Sequence, residues 1–157
     1  MTERPTPEPT LRLAREARGL FTLEALGWAL PLAAAGIAGG IALGGAGGAA
    51  IAAAAVLAAL TGAVVVPDVR VRRFRYEVRE DEIDLRRGAF TVVRTLVPMV
   101  RVQHVDTRRT VLSQMFGLAS VVFHTAAGAT SIPALREVDA AAIRDRIADL
   151  ARTPEEL

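Results

Sequence analysis

The sequence ALGWALPLAAAGIAGGIALGGAGGAAIAAAAVLAALTGAVVVP, residues 25–67, contains no charged side chain. It is about twice as long as the ~20 apolar residues that one membrane-spanning helix needs. A helix on the surface of a soluble protein keeps one polar face toward water, and no such face is present here. We therefore predict two transmembrane helices that form a hairpin.

The glycine-rich run at positions 44–48 predicts where the hairpin turns, because glycine favours turns over helix interiors. The two membrane spans are predicted at residues 23–43 and 49–66. Small residues recur every fourth position on both spans, which favours close approach of the two helices. The members of these strips are Gly36, Gly40 and Gly44 on the first span and Ala55, Ala59 and Ala63 on the second.

Arginine flanks the uncharged run on both sides, whereas the glycine turn carries no charge. The positive-inside rule then predicts a multi-pass protein of the plasma membrane with both termini in the cytoplasm. Because arginine beside a membrane is explained by topology and anionic headgroups, we do not expect a nucleic-acid partner. The flanking arginines are Arg12, Arg15 and Arg18 before the run and Arg70, Arg72, Arg73 and Arg75 after it.

The ends of the chain differ in composition from its middle. Proline and glutamate in the first ten residues predict a disordered tail, and apolar spacing from Leu11 predicts a short juxtamembrane helix. Residues 1–22 are thus assigned to tail and juxtamembrane helix, 23–66 to the spans, 67–152 to a folded domain and 153–157 to a second tail. The juxtamembrane helix is either interfacial or a simple extension of the first span.

The residues after the spans alternate between apolar and polar, which is typical of half-buried strands. Tight turns at Glu80-Asp81 and Arg87-Gly88 predict antiparallel pairing. A third strand from Phe90 to Val97 ends or bulges at Pro98, and Pro133 is expected to cut off a last, short edge strand. An amphipathic helix over 138–151 follows. The predicted fold class is an α+β membrane protein: a hairpin, then an antiparallel sheet or barrel of six or seven strands, capped by one C-terminal helix.

Three segments of this domain carry a resemblance to a known family. They are PMVRVQHV (98–105), MFGL (115–118) and HTAAG (124–128), with Leu112 between the first two. The sequence resembles the pleckstrin-homology (PH)-like domains of the YdbS-like bacterial membrane proteins, which show a similar Pro-x-x-Arg-Ile-Gln-x-Val segment, a Phe-Gly-Leu step and a Thr-Ala-Gly turn. The turn here has two alanines before Gly128. The resemblance extends over roughly residues 11–151, and it implies a PH-like sheet without catalytic residues.

The sequence contains few residues of the kinds that form catalytic or metal sites. With no cysteine, thiolate metal sites are excluded. His104 and Asp106 would share a strand face that His124 could approach, but a metal site needs further ligands, so we expect no metal and no cofactor. Hydrogen-bonded strand histidines are the alternative. The candidate binding residues are Arg101, Gln103, His104, Arg108 and Arg109.

Each candidate has a plain structural alternative: Gln103 could serve a backbone group at a bulge, and the arginines could form a solvated strand face. Two functions remain open. The first is a non-catalytic interaction module that binds membrane lipid, another membrane protein or its own copies. The second is an accessory subunit of a membrane transport or enzyme complex with a minor site at His104 and His124. The uncharged run at 25–67 contains no ionisable residue, which favours the first function, and no small-molecule substrate is indicated.

Overall fold

The computed structural model describes residues 7–89 and 91–152. The chain divides into two compact units. One comprises residues 18–71, and the other comprises the described residues up to 17 together with those from 72 onward. Residues 1–6 of the predicted N-terminal tail, the predicted tail at 153–157 and the start of the third strand at Phe90 lie outside the described residues. The prediction of a disordered tail is wrong for residues 7–10, since Pro7 and Glu8 contact arginines of the folded domain.

Residues 18–71 form the expected helical hairpin. Helix α1 spans Ala17–Leu43 and helix α2 spans Gly45–Arg73, and both are long and apolar enough to cross a membrane. Gly44 and Gly45 have φ angles of +65° and +63°, in the left-handed region that glycine adopts without steric cost. The turn is therefore shorter than the predicted glycine run, and α2 continues beyond Pro67 to Arg73.

Small residues bring the two helices together. A methyl group built on Gly36 would collide with the Cβ of Ala55, and one built on Gly40 would collide with the carbonyl oxygen of Gly48. The predicted close approach through the α1 strip is confirmed. The α2 residues that face the glycines of α1 are Gly48, Ala52 and Ala55. Of the predicted α2 strip, Ala55 therefore makes this contact, and Ala63 is buried as well.

Most large apolar side chains of the hairpin point outward. Trp28 and Ile41 are 78% and 75% exposed, and the same holds for the leucines and valines around both helices. A helix with apolar side chains all round is suited to lipid rather than to water. At the end of the hairpin away from the glycine turn, Arg18 forms an ion pair with Asp68, and the Arg70 guanidinium lies 4.7 Å from the centre of the Phe21 ring.

The second unit contains two three-stranded antiparallel sheets and confirms the predicted fold class. The first sheet has the order β1-β2-β3 and the second β4-β5-β6. Its elements are β1 (Arg75–Val78), β2 (Glu82–Arg87), β3 (Val93–Pro98), a 3-10 turn (Met99–Arg101), β4 (Val102–Arg108), α3 (Val111–Met115), β5 (Leu118–Thr125), β6 (Gly128–Arg136) and α4 (Glu137–Arg152).

The core contains the inward-facing residues of both sheets. Phe74, Tyr76 and Phe123 are buried, as their alternation predicts. Helix α4 packs against β4 and β5 and buries Ile147 completely. This arrangement confirms the expected C-terminal cap on the sheets.

Strand β6 does not stop at Pro133, which corrects the prediction of a short edge strand. The pairing shifts register between Ala119 and Val121 on the neighbouring strand, and Pro133 and Ala134 occupy this bulge. A bulge tolerates proline because its residues need not donate to the ladder. Ala134 has a φ of +50°, which reflects the local distortion.

The segment before the hairpin is not helical at Leu11, where we expected a helix to begin. Leu11 exchanges two backbone hydrogen bonds with Tyr76, at 3.1 and 3.0 Å, and Ala14 N–H donates to the carbonyl of Ala134 at 3.3 Å. Helix α1 begins only at Ala17. Because an exposed strand edge offers unpaired backbone groups, β1 can hold this segment in an extended form. We call residues 7–16 the N-terminal strap.

Candidate binding surface

The five predicted binding residues lie on one stretch of chain. Arg101 ends the 3-10 turn, Gln103, His104 and Arg108 belong to β4, and Arg109 follows it. All five are exposed. In the described residues β4 pairs with β5 alone, so this strand forms an edge of its sheet. The structure therefore places the candidates along an edge strand and does not gather them into one compact pocket.

Gln103 is located at a β-bulge, as the structural alternative proposed. Val102 pairs with Thr125 and His104 pairs with His124, so Gln103 is the additional residue between them. The bulge turns its side chain to solvent. This residue is thus available for contact with a partner, even though its position has a structural cause.

His104, Asp106 and His124 do come together. The Nε2 atom of His104 lies 2.9 Å from Asp106 Oδ1, and Nε2 of His124 lies 3.5 Å from Asp106 Oδ2. The imidazole rings are 5.6 Å apart between centroids. Asp106 therefore lies between the two rings, and the three side chains are between 37% and 64% exposed. The Nε2 atom of His124 is itself buried and has no hydrogen-bond partner among the described residues, so the contact with Asp106 does not satisfy it. In residues 7–89 and 91–152 no group of three or more His, Asp or Glu side chains is placed to hold a metal ion.

A groove of about 660 Å³ runs between β4 and α4. Arg109 crosses its end, where its Nη1 atom lies 3.1 Å from Oε1 of Glu137. Thr107 also lines the groove, and its buried Oγ1 has no hydrogen-bond partner among the described residues. A buried hydroxyl without a partner is unfavourable, by about 1–3 kcal/mol. The remaining lining residues are Val105, Asp106, Ala119, Val138, Ala141 and Arg144.

Among the residues that the structure describes, Asp84 is the most buried charged residue, and the sequence pattern did not indicate this. The alternation of β2 placed Asp84 on the solvent face, yet its exposure is 0%. Arg94 Nη2 donates to Asp84 Oδ2 at 2.6 Å, and Arg79 Nη2 lies 3.4 Å from the same oxygen. The strap covers this cluster, because the carbonyl of Pro7 accepts hydrogen bonds from both arginines.

The pKa values of these arginines reflect the cluster. Partial burial opposes the charge of Arg79, but its hydrogen bonds to Glu82 and Glu77 outweigh this and raise the pKa. The hydrogen bond to Asp84 raises the pKa of Arg94 against a smaller effect of burial. Removing one partner of such a covered cluster is costly, because the charge that remains is buried without compensation. We therefore interpret the cluster as structural and not as a ligand site. No local pattern signals it, because Arg94 is on another strand and the strap is far away in sequence.

Comparison with known proteins supports the architecture. The family described as "Bacterial PH domain" matches residues 21–151. UPF0699 transmembrane protein YdbS from Bacillus subtilis (strain 168) is 49% identical over 92 residues, which is 59% of this chain and 58% of that protein. The matched region thus spans less than two thirds of this relative. No solved structure matches the chain significantly.

These matches confirm the resemblance to the YdbS-like group. The family match includes both apolar helices and both sheets. The chain is a membrane-associated protein with two candidate membrane-spanning helices and belongs to the bacterial PH domain family.

Proposed function

We propose that this protein is a membrane-anchored, non-catalytic interaction module that binds a polypeptide along β4 at the cytoplasmic membrane face. The observation that supports this best is the edge position of β4 beside the groove to α4. An edge strand offers a row of backbone donors and acceptors, to which an extended segment of another chain can add.

The charges of the groove suggest what kind of segment would fit. Ion pairs border it on the α4 side, where Arg109 meets Glu137 and Arg144 meets Asp145 at 2.7 Å. Since both signs are present, a polar segment of mixed charge suits the surface better than a purely acidic or basic one.

The partner is expected to be another membrane protein or a second copy of this chain. A tether to the membrane raises the local concentration of neighbouring membrane proteins, so weak contacts become populated. Catalysis is not part of the proposal, because the uncharged run at 25–67 has no ionisable group for a conduction path or for intramembrane chemistry.

Site-specific photo-crosslinking in native membranes tests the binding surface. A photoreactive residue at Gln103 should give a discrete protein adduct, and the same residue at the exposed Ala142 of α4 serves as control. The adduct should disappear in the Arg101→Glu/Arg108→Glu variant and persist in the Arg146→Glu variant. Equal adducts from positions 103 and 142, or an adduct indifferent to these charges, would contradict the proposal.

The proposed orientation has both termini in the cytoplasm and the glycine turn outside. Because the natural chain has no cysteine, single cysteines report topology directly. Ala46→Cys should react with an impermeant thiol reagent added to intact cells, whereas Ala142→Cys should react only after permeabilisation. The reverse labelling would overturn the orientation.

An accessory subunit of a transport or enzyme complex is the second candidate, and the juxtaposition of His104, Asp106 and His124 favours it. The His104→Gln/His124→Gln variant separates the two functions. We expect the Gln103 adduct to be unchanged in this variant. Stoichiometric metal in the purified wild type, lost in the variant, would favour the second candidate.

A further inference from the structure

The side chains of β4 are arranged almost symmetrically about the middle of the strand. Val105 is the central residue of Val102–Arg108, and His104 and Asp106 lie on either side of it. Their Nε2 and Oδ1 atoms are 2.9 Å apart, so both side chains lie on one face of the strand. An imidazole N–H can donate to a carboxylate. Read in the opposite direction, the strand therefore presents a hydrogen-bond acceptor where it first presented a donor.

The outer edge of β4 is open to a further strand. Across residues 7–89 and 91–152, β5 is the one strand that pairs with β4. The pairing with β5 is regular from His104 to Arg108, and the bulge at Gln103 affects only the first part of the strand. The regular part offers backbone donors and acceptors in the order that an antiparallel partner needs.

Symmetry limits how two β4 strands can pair. Residues opposite each other in an antiparallel pair point to the same side of the sheet, so a twofold axis passes beside one residue that faces its own copy. An axis at His104 places two imidazoles opposite each other, and an axis at Asp106 places two carboxylates opposite each other, which is unfavourable. An axis at Val105 places His104 opposite Asp106 on both sides. This register also overlaps the whole of β4.

We propose that the polypeptide bound along β4 is β4 of a second copy of this chain, with Val105 opposite Val105. This inference rests on the proposed function, because it names the partner of the same strand. The two three-stranded sheets form one six-stranded sheet across the axis. The charges around the axis balance, since Arg108 shares a face with Asp106 and each copy contributes one of each.

Arginines lie at both ends of this interface. The register brings Arg109 of one copy toward Arg101 of the other. The ion pair between Arg109 and Glu137, at 3.1 Å, offsets this repulsion. The regular ladder is short, so the association is weak by itself. Attachment of both copies to one membrane raises their local concentration and populates it.

Disulfide formation at the axis tests the register. Because the natural chain has no cysteine, Val105→Cys introduces a single thiol in each copy. Residues opposite each other in an antiparallel pair have Cα atoms about 4.5–5.5 Å apart, within the ~4.4–6.8 Å that a disulfide spans. Mild oxidation of native membranes should convert the Val105→Cys protein into a covalent dimer on a non-reducing gel.

Gln103→Cys is the matched control on the same strand. Position 103 is more exposed than position 105, so random collision would favour it. The register places position 103 opposite Thr107 and about 14 Å from its own copy, which is too far for a disulfide. Gln103→Cys should stay monomeric, as should Ala142→Cys on α4. Equal dimer yields at positions 103 and 105 would overturn the proposal.

Charge exchange between two differently tagged copies keeps the test decisive if Val105→Cys does not fold or oxidise. His104→Glu places a carboxylate opposite Asp106, and Asp106→Lys removes the acceptor opposite His104, so each variant pairs poorly with itself. In the mixed pair the new glutamate faces the new lysine. Co-purification should recover this mixed pair about tenfold more than either variant with itself. Equal recovery of mixed and like pairs would contradict the register.

The photo-crosslink at Gln103 separates this inference from the proposed function. An adduct with the mass of two copies of this chain supports both. An adduct with a different protein leaves the proposed function standing and overturns the second copy as partner. If no adduct forms, both are wrong. His104→Gln/His124→Gln should preserve the pairing, because the glutamine amide also donates to a carboxylate.

Discussion

Asp84 and Asp106 provide two versions of the same arrangement. Each carboxylate lies on a strand between two basic side chains, Arg79 and Arg94 in one case and His104 and His124 in the other. Asp84 is completely buried, whereas the side chain of Asp106 is 48% exposed. The comparison teaches that burial, and not the charge pattern, decides whether such a cluster supports the fold or forms a surface.

The N-terminal strap causes the difference in burial between Asp84 and Asp106. It runs over the Asp84 cluster, where the carbonyl of Pro7 lies 2.5 Å from Arg79 Nη2 and 3.2 Å from Arg94 Nη2. Glu8 extends the cover to Arg86. Water is thereby excluded from Asp84, and its charge depends on the two arginines. Asp106, on an edge strand, keeps access to water that can replace either histidine.

Asp84→Asn should have the largest effect of the changes considered in this comparison. It removes the negative charge from between two arginines that the strap partly covers. We expect a loss of about 2–3 kcal/mol in the free energy of unfolding, below the ~3–5 kcal/mol of a fully buried pair because Arg94 keeps some exposure. Urea unfolding of the full chain in detergent measures this. A loss smaller than about 0.5 kcal/mol would mean that the burial of Asp84 has no energetic consequence.

Asp106→Asn is the matched change at the exposed cluster. Its contacts with His104 and His124 are open to solvent, so the free energy of unfolding should change by no more than about 0.5 kcal/mol. The same urea titration applies. A loss equal to that of Asp84→Asn would break the comparison and indicate that the histidine cluster is structural.

The smallest effect is expected from the ionisation of Tyr76, which pairs with the strap. Burial, and then the charge of Asp139, raise the pKa of Tyr76 above its ordinary value of about 10. The folded chain therefore holds this proton more tightly than the unfolded chain does. The associated stability is complete below the unfolded pKa and is lost as the pH rises through the folded pKa.

Ultraviolet absorbance of the phenolate tests this without interference, since the chain contains a single tyrosine. Phenolate should form at a higher pH in the folded protein than in the denatured chain. Coincident titration curves would mean that water reaches the Tyr76 hydroxyl and that the strap does not close over β1.

Much of the architecture could be predicted because it follows from local patterns. The uncharged run gave the hairpin, and the alternation from Arg75 to Arg87 gave the first two strands. The surroundings of two candidate surface residues could also be predicted: a bulge was considered at Gln103, and His124 was placed within reach of His104. Pro133 was misjudged because a single proline does not reveal whether its own strand bulges at that position.

The strap could not be predicted in the same way. Leu11 precedes the hairpin in the sequence and Tyr76 follows it, so their pairing joins residues that are far apart along the chain.

The sequence by itself determined the membrane hairpin, the antiparallel strands and the capping helix, because hydrophobic periodicity and turn residues act over a few neighbouring positions. Only the tertiary structure decided which charges are buried. Asp84 and Asp106 have similar strand patterns, but the strap covers only Asp84. Solvation of a charge depends on every segment that packs over it, however distant in sequence, and this information is absent from any local pattern.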